Sequence, residues 1–174
     1  MRRRRVQFAA VVAVAGLLAV VTAAVAGGGG RDVREHLKGY EEVPAVSTTG
    51  FGEFRAEVRD GEIRYRLTYS GLEGDVLQAH IHLGQERVNG GISAFLCSNL
   101  PDPPPDTPAC PGPRAGTVTG TIEPSDVIGP TGQGIAPGEY AELLRAIRAG
   151  VTYANVHSSK HPSGEIRAQL ERGR

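Results

Sequence analysis

Alternation of apolar and polar residues is the strongest pattern along this chain, and it is typical of half-buried β-strands. From Gly52 to Arg59 apolar residues alternate with charged ones, and the dipeptide Asp60-Gly61 that follows favours a two-residue hairpin turn. Residues 63–69 then alternate in the same way. The pattern therefore predicts two antiparallel strands joined by a tight turn.

Shorter alternations follow at residues 79–83, 92–96 and 117–122, and residues 129–137 are rich in glycine and proline. Many short strands separated by such turn-forming segments favour two packed antiparallel sheets or one closed sheet. The expected fold class is therefore all-β, an antiparallel β-sandwich or Greek-key barrel.

One segment departs from this pattern and has the periodicity of an amphipathic helix. Pro137 precedes it and Gly150 follows it, and these residues favour the two ends of a helix in that order. The apolar residues at helical spacing are Tyr140, Leu143, Leu144 and Ile147. We expect one short helix whose apolar face covers one end of the sheets.

The N-terminal segment has the form of a secretory signal peptide. Arg2–Arg5 are basic, Val6–Ala26 are apolar, and Ala24-Val25-Ala26 is a cleavage motif of small residues. An uncleaved membrane anchor is the alternative, because an apolar run of this length can just span a bilayer.

These features divide the chain into three parts. We assign residues 1–26 to the signal peptide, residues 27–36 to a flexible lead-in and residues 37–172 to one domain. The expected location is secreted or in the cell envelope, with membrane contact only if the signal segment is not cleaved.

Charge changes when the signal peptide is removed. The full chain has 19 basic and 19 acidic residues, and removal of the four N-terminal arginines leaves 15 basic residues and a net charge of −4. A mildly acidic chain does not attract phosphate backbones, so we do not expect a nucleic-acid partner.

Cys97 and Cys110 are the two cysteines of the chain, and they flank a proline-rich segment. Because export places them in an oxidising compartment, we expect a disulfide between them. A thiolate metal site is the weaker alternative, since no second cysteine pair completes a zinc site.

Three strand-like segments carry unusual polar residues on one side. These polar rows are Gln78, His80 and His82; Tyr153, Asn155 and His157; and Glu165, Arg167 and Gln169. Two interpretations of the rows stay open at this point, a metal site and a structural network.

The metal interpretation starts from His80 and His82, which lie two residues apart on a strand and therefore project from the same face. If the strand of His157 lies beside them, the three imidazoles meet and suit one zinc or copper ion. Glu165 is then the candidate fourth ligand, or an acceptor that orients a ligand.

In the structural interpretation, the same rows form hydrogen bonds and ion pairs that hold the sheet together. Its members are Gln78, Tyr153, Asn155, Glu165, Arg167 and Gln169. The remaining histidines, His36 and His161, lie in polar surroundings and are expected to be solvent-exposed.

Three ordered motifs span nearly the whole domain. Residues 37–44 read L-K-G-Y-E-E-V-P and residues 79–84 read A-H-I-H-L-G, while residues 149–157 and 162–167 read A-G-V-T-Y-A-N-V-H and P-S-G-E-I-R. In this order they resemble the opening, central and closing motifs of the chordin-type (CHRD) domain family. One departure is Ala168, where the family commonly has glycine.

The resemblance implies an extracellular all-β domain, of the kind that occurs as repeated modules in an animal growth-factor antagonist and as single secreted domains in bacteria. It implies no established catalytic activity, and the sequence has no nucleophile elbow, zinc-protease motif or P-loop. We therefore expect a non-catalytic binding or structural module that recognises an extracellular protein or cell-surface ligand. The alternative is a metalloprotein that binds one zinc or copper ion through the histidines.

Overall fold

Alternating apolar residues build the core of the structure, a computed structural model that describes residues 31–170. Within these residues the strands are β1 (Arg31–Lys38), β2 (Phe51–Val58), β3 (Ile63–Ser70), β4 (Val76–Leu83), β5 (Gly91–Ser98), β6 (Gly116–Ile122), β7 (Thr152–Ser158) and β8 (Ile166–Gln169). All strand pairs are antiparallel, in the order β5-β4-β7-β8-β1-β2-β3-β6. The helices are α1 (Tyr140–Ala149) and three short 3₁₀ helices (Gly39–Glu41, Pro124–Asp126 and Thr131–Gln133).

This single sheet curls into a nearly closed barrel. A hydrogen bond spans the gap: the Tyr65 hydroxyl on β3, the strand next to the end strand β6, donates to the Leu96 carbonyl on β5, the other end strand, at 2.6 Å. The predicted all-β antiparallel fold with one short helix is confirmed, in its barrel form.

The β2–β3 hairpin has the predicted form, with Val58 opposite Ile63 at the turn. Its inward side chains are buried, among them Phe54, Leu67 and Tyr69, and they join the apolar core. Burial alternates along both strands as the apolar pattern requires.

The N-terminal boundary differs from the expectation. Residues 31–36, expected within a flexible lead-in, belong to β1, which pairs with β2 along its whole length. Val33 and Leu37 are buried against the core, and this side of the strand is hard to recognise between charged neighbours. The predicted signal peptide, residues 1–26, lies outside the described residues, as do 27–30 and 171–174.

Helix α1 forms where the periodicity predicts it. It buries the predicted apolar stripe against the core and ends at Gly150, whose φ of 72° suits glycine. The Tyr140 hydroxyl donates a hydrogen bond to the Arg59 carbonyl at 2.6 Å and fixes the start of the helix against the β2–β3 turn. No helix among residues 31–170 is both long and apolar enough to cross a bilayer.

The predicted disulfide is present between Cys97 and Cys110, whose Cα atoms are 5.0 Å apart. The side chain of Asn99 stabilises the segment that the disulfide closes. Its amide group donates to the Cys110 carbonyl, and its amide oxygen accepts from the Cys110 backbone N–H. The proline-rich segment is thus anchored at the end of β5.

Candidate metal centre

The polar rows of β4 and β7 lie side by side in the barrel wall. Register places His80 opposite Asn155 and His82 opposite Tyr153. Residues between them, such as Ile81 and Ala154, face the apolar core, so the polar rows face away from it.

We call the outward side of β4, β7 and β8 the histidine face. Although it faces away from the barrel interior, six of its side chains are at most 7% exposed. They are His80, His82, Tyr153, Asn155, His157 and Arg167. Loops cover this face, so its polar groups lie between the sheet and a second layer of chain.

Two β-bulges shape the neighbouring strand β5. Its register against β4 shifts between Ala79 and His80 and again between Ile81 and His82. Bulges redirect side chains and commonly lie beside functional sites. Here Phe95 packs edge-on against the His80 ring, with ring centroids 4.4 Å apart.

Three imidazoles converge on the histidine face. His80, His82 and His157 each offer one ring nitrogen, and these nitrogens lie within 4.8 Å of one another. Ring centroids are 5.3 Å apart for His80 and His82 and 4.9 Å apart for His80 and His157. The convergence expected under the metal interpretation is therefore present.

Backbone carbonyls fix the tautomers of two rings. Nδ1 of His82 lies 3.0 Å from the Gly90 oxygen, and Nδ1 of His157 lies 2.9 Å from the Pro162 oxygen. Because a carbonyl only accepts, we assign the proton of each neutral ring to Nδ1. The lone pair of each ring then lies on Nε2.

The third ring completes the pattern. Nδ1 of His80 lies 3.1 Å from Nε2 of His157, so it donates to that lone pair and keeps its own on Nε2. Nε2 of His80 and Nε2 of His82 are buried and have no hydrogen-bond partner among the described residues. Buried polar atoms are rarely left unpaired in proteins, and a metal ion is one partner that satisfies such lone pairs.

Burial keeps the three rings neutral. It lowers the pKa of His80 to about 2 and that of His82 to about 4, and it lowers the pKa of His157 as well. The neighbouring histidines lower the pKa of His80 and His82 further, because protonation of one ring disfavours protonation of another. Near neutral pH all three rings are uncharged and each keeps one nitrogen lone pair, that of His157 accepting the hydrogen bond from His80.

A stack of planar groups supports His82. Its ring lies parallel to that of Tyr153, with centroids 4.7 Å apart, and the Arg167 guanidinium carbon lies 3.4 Å from the Tyr153 ring centroid. Tyr153 lies on β7, which runs between β4, the strand of His82, and β8, the strand of Arg167. The stack joins a candidate ligand to a buried cation through one aromatic ring.

Arg167 also secures the covering loop. Its guanidinium donates to the Gln85 and Val88 carbonyls at 3.3 and 3.0 Å and to the Asn89 side-chain oxygen at 3.2 Å. The same loop supplies Gly90, whose carbonyl orients His82. Arg167 thus fixes the loop that positions a candidate ligand.

Glu42 is a buried residue of this face that the sequence did not single out. The Asn155 amide donates to its carboxyl group at 2.6 Å, and burial raises the pKa of Glu42 to about 7. Gly164 packs against that carboxyl group: its φ of 133° favours glycine, and a Cβ there would lie 2.7 Å from the carboxyl oxygens. The only available signal was its place in the L-K-G-Y-E-E-V-P motif.

Glu42 and His82 share a small cavity of about 170 Å³. Its other lining residues are Asn89, Gly90, Tyr153, Asn155 and Ser163. This cavity is a polar approach to the histidine cluster from the side of His82.

Glu165 does not join the histidines, which corrects its expected place as a fourth ligand. It is fully buried, and its Oε1 accepts from the Thr48 hydroxyl and the Glu73 backbone N–H, both at 2.7 Å. The group of candidate ligands contains the three histidines without it. Its position just before β8 explains the difference, because its side chain ties two loops together.

The other members of the expected network bond mainly to loops and backbone. The Gln169 amide donates to the Gly84 and Gly150 carbonyls at 2.9 and 3.0 Å. Gln78 is half-buried and forms no side-chain hydrogen bond with the described residues. The network therefore holds the cover in place more than it joins strand to strand.

The two remaining histidines lie outside the cluster. His36 is exposed on β1, as expected. His161 is only partly exposed, contrary to expectation, and its Nε2 lies 3.7 Å from the Glu73 carboxylate. It packs between loops because the turn after β7 folds back on the segment around Glu73.

Comparison with known families identifies the domain. The CHRD domain model matches residues 33–170. The chain belongs to the CHRD domain family. Comparisons with the curated proteins and with the solved structures found no match. CHRD domains are typically extracellular, and the disulfide of this one fits an oxidising compartment.

Proposed function

We propose that this CHRD domain is a non-catalytic extracytoplasmic module that binds one zinc or copper ion through His80, His82 and His157. The observation that carries the proposal is the convergence of three neutral rings, two of which have a buried Nε2 without a hydrogen-bond partner among the described residues. Other buried side-chain atoms of the described residues, such as Ser93 Oγ and Glu165 Oε2, also have no partner, so the convergence of the three nitrogens is what distinguishes the cluster. Imidazole nitrogen is a good ligand for both metals.

To bind an ion through all three Nε2 atoms, the cluster must open the hydrogen bond from Nδ1 of His80 to Nε2 of His157 and draw its nitrogens closer together. A tetrahedral site with bonds of about 2.0–2.1 Å separates its nitrogens by roughly 3.3 Å, whereas the three nitrogens here lie within 4.8 Å. The hydrogen bonds from Nδ1 of His82 and His157 to backbone carbonyls orient both rings, as such bonds do around known sites.

Metal analysis of tag-free protein tests the proposal. We expect about one equivalent of zinc or copper in the wild type after loading and dialysis, and its loss in His80→Ala and His157→Ala. His36→Ala removes an exposed histidine outside the cluster and is the matched control, which should retain the metal.

Absence of metal from folded wild-type protein would refute the proposal. Full retention in both cluster variants would do so as well. Circular dichroism of every variant separates loss of a ligand from loss of the fold.

Recognition of an extracellular protein or cell-surface ligand is the second candidate function. The exposed aromatic side chains of Tyr40 and Phe51, which are 75% and 60% exposed, favour it. Retention of the protein in the cell-envelope fraction, compared with a Tyr40→Ser/Phe51→Ser double variant, tests this candidate. Equal retention of the two proteins would count against it.

A further inference from the structure

We propose that the histidine cluster takes copper in its monovalent state, Cu⁺, in preference to the divalent ions Zn²⁺ and Cu²⁺. This inference rests on the proposed function and names the ion that the site selects. Four features support it: the charge of the ligand set, the burial of the site, the cation that lies behind it and the number of ligands.

The ligand set contributes no negative charge. Among residues 31–170, the candidate group at this site consists of three histidines, with no carboxylate or thiolate. Cys97 and Cys110 are bonded to each other, and the Oε1 atom of Glu165 is engaged by Thr48 and Glu73. A bound ion therefore keeps its full charge within the cluster.

Burial makes that charge costly. His80 is fully buried and the rings of Phe95 and Tyr153 pack against two of the ligands. The free energy of moving an ion from water into a poorly polar interior grows with the square of its charge, so a dication costs about four times as much as a monocation. A buried neutral site thus favours the lower charge.

Arg167 adds a fixed positive charge behind the site. Its guanidinium carbon lies 3.4 Å from the centre of the Tyr153 ring, whose plane is parallel to the His82 ring. Its hydrogen-bond acceptors are two carbonyls and an amide oxygen, all neutral. Repulsion from this cation is twice as large for a dication as for a monocation. Glu42, whose pKa burial raises to about 7, and Glu41 both attract the guanidinium and offset this repulsion in part.

Coordination number points in the same direction. Cu⁺ is stable with two or three nitrogen ligands, whereas zinc takes four ligands in most protein sites. The cavity of about 170 Å³ beside His82 has room for water as a fourth ligand, so zinc is a real competitor whose affinity must be measured.

The test compares the affinities of Cu⁺, Zn²⁺ and Cu²⁺ for the tag-free full chain, the Cu²⁺ affinity being measured without ascorbate by competition with glycine. Cu⁺ is generated with ascorbate, which spares the disulfide, and is competed with bicinchoninate; Zn²⁺ is competed with a chromophoric chelator. We expect Cu⁺ to bind at least ~100-fold more tightly than Zn²⁺, as the charge argument requires. X-ray absorption of the copper-loaded protein should show a three-coordinate cuprous ion.

A charge-changing variant sharpens the test. His82→Asp places a negative ligand in the site, and we expect the ratio of Cu⁺ to Zn²⁺ affinity to fall by ~100-fold or more. His36→Asp makes the same chemical change on the exposed side of β1 and should leave the ratio unchanged. Circular dichroism checks that both variants are folded. If His82→Asp does not fold, the wild-type affinities alone decide whether the site prefers Cu⁺.

The outcomes separate the two proposals. Zn²⁺ or Cu²⁺ binding at least as tightly as Cu⁺, through the same histidines, overturns the preference for Cu⁺ and leaves the metal-binding function standing. Failure of the folded wild type to bind any of the three ions overturns both.

Discussion

The barrel has two outward faces whose strands share one alternating pattern but differ in side-chain chemistry and in cover. On β1, β2 and β3 the outward side chains are charged and largely exposed, and we call this side the arginine face; there Arg34 and Arg55 both pair with Glu53. On the histidine face, the outward side chains are covered by loops and are uncharged except for Arg167. Strands of the same alternating pattern are thus exposed to solvent on the arginine face and covered by loops on the histidine face.

The cover determines what each face can do. Exposed ion pairs contribute little to stability, because water solvates the separated charges almost as well. Buried polar groups are costly when unpaired. Loss of a hydrogen-bond partner on the histidine face should therefore have a large effect on stability or on the orientation of a histidine. We expect function to reside on the covered face and solubility on the exposed one.

The largest expected effect tests the cover itself. Arg167→Ala should lower the free energy of unfolding by about 3 kcal/mol or more, because it leaves two loop carbonyls and an amide oxygen without their donor and removes packing over Tyr153. Urea denaturation measures the change.

The matched control for this prediction is Arg64→Ala on the arginine face, whose side chain is 65% exposed. Its effect should be much smaller. If the two variants are equally stable, the difference between the faces has no energetic meaning.

A pH experiment gives the next largest effect. Burial raises the pKa of Glu42 from 4.5 to about 7, so between these values the folded state holds a proton that the unfolded state has released. Its contribution to stability is complete below pH 4.5 and falls by about 1.4 kcal/mol per unit as the pH rises towards 7. In Glu42→Gln this loss is absent, so the variant should gain stability relative to the wild type from pH 5 to pH 7.

Denaturation curves at a series of pH values measure that difference. Glu57→Gln, on the exposed side of β2, is the control and should show no such trend. A constant difference between Glu42→Gln and the wild type would mean that Glu42 is ionised as freely as a surface residue.

The smallest expected effect lies on the arginine face. Glu53→Gln removes the carboxylate shared by Arg34 and Arg55, and it should shift the thermal midpoint by less than about 3 °C because these groups are solvated. The shift should shrink further in 1 M salt, where the Debye length is about 3 Å. A large shift that persists in salt would show that this face is not simply solvated.

Local patterns were enough to predict much of the fold. The β2–β3 hairpin and helix α1 follow from periodicity within one segment, and the disulfide follows from two cysteines in a chain expected to be exported. β1 was missed because charged residues surround Val33 and Leu37, so the apolar row of the strand is too sparse to recognise. Its place in the sheet becomes evident only from its pairing with β2.

The site shows the limit of such reasoning. A period of two places His80 and His82 on one face, but their meeting with His157 depends on the pairing of β4 with β7, which no local pattern encodes. Glu165 was assigned to the wrong partners because it lies just outside β8, and Glu42 approaches from a loop. Long-range register and loop paths are set by the whole chain and could only be hypothesised.

The pairing of β4 with β7 also determines when a newly synthesised chain can bind a metal ion. His80 and His157 are 77 positions apart, so a growing polypeptide displays two of the three imidazoles long before it has made the last. Under the proposed function, tight capture waits until synthesis has passed β7 and the barrel has closed. Unfolding at any later time would disperse the ligands and release the ion.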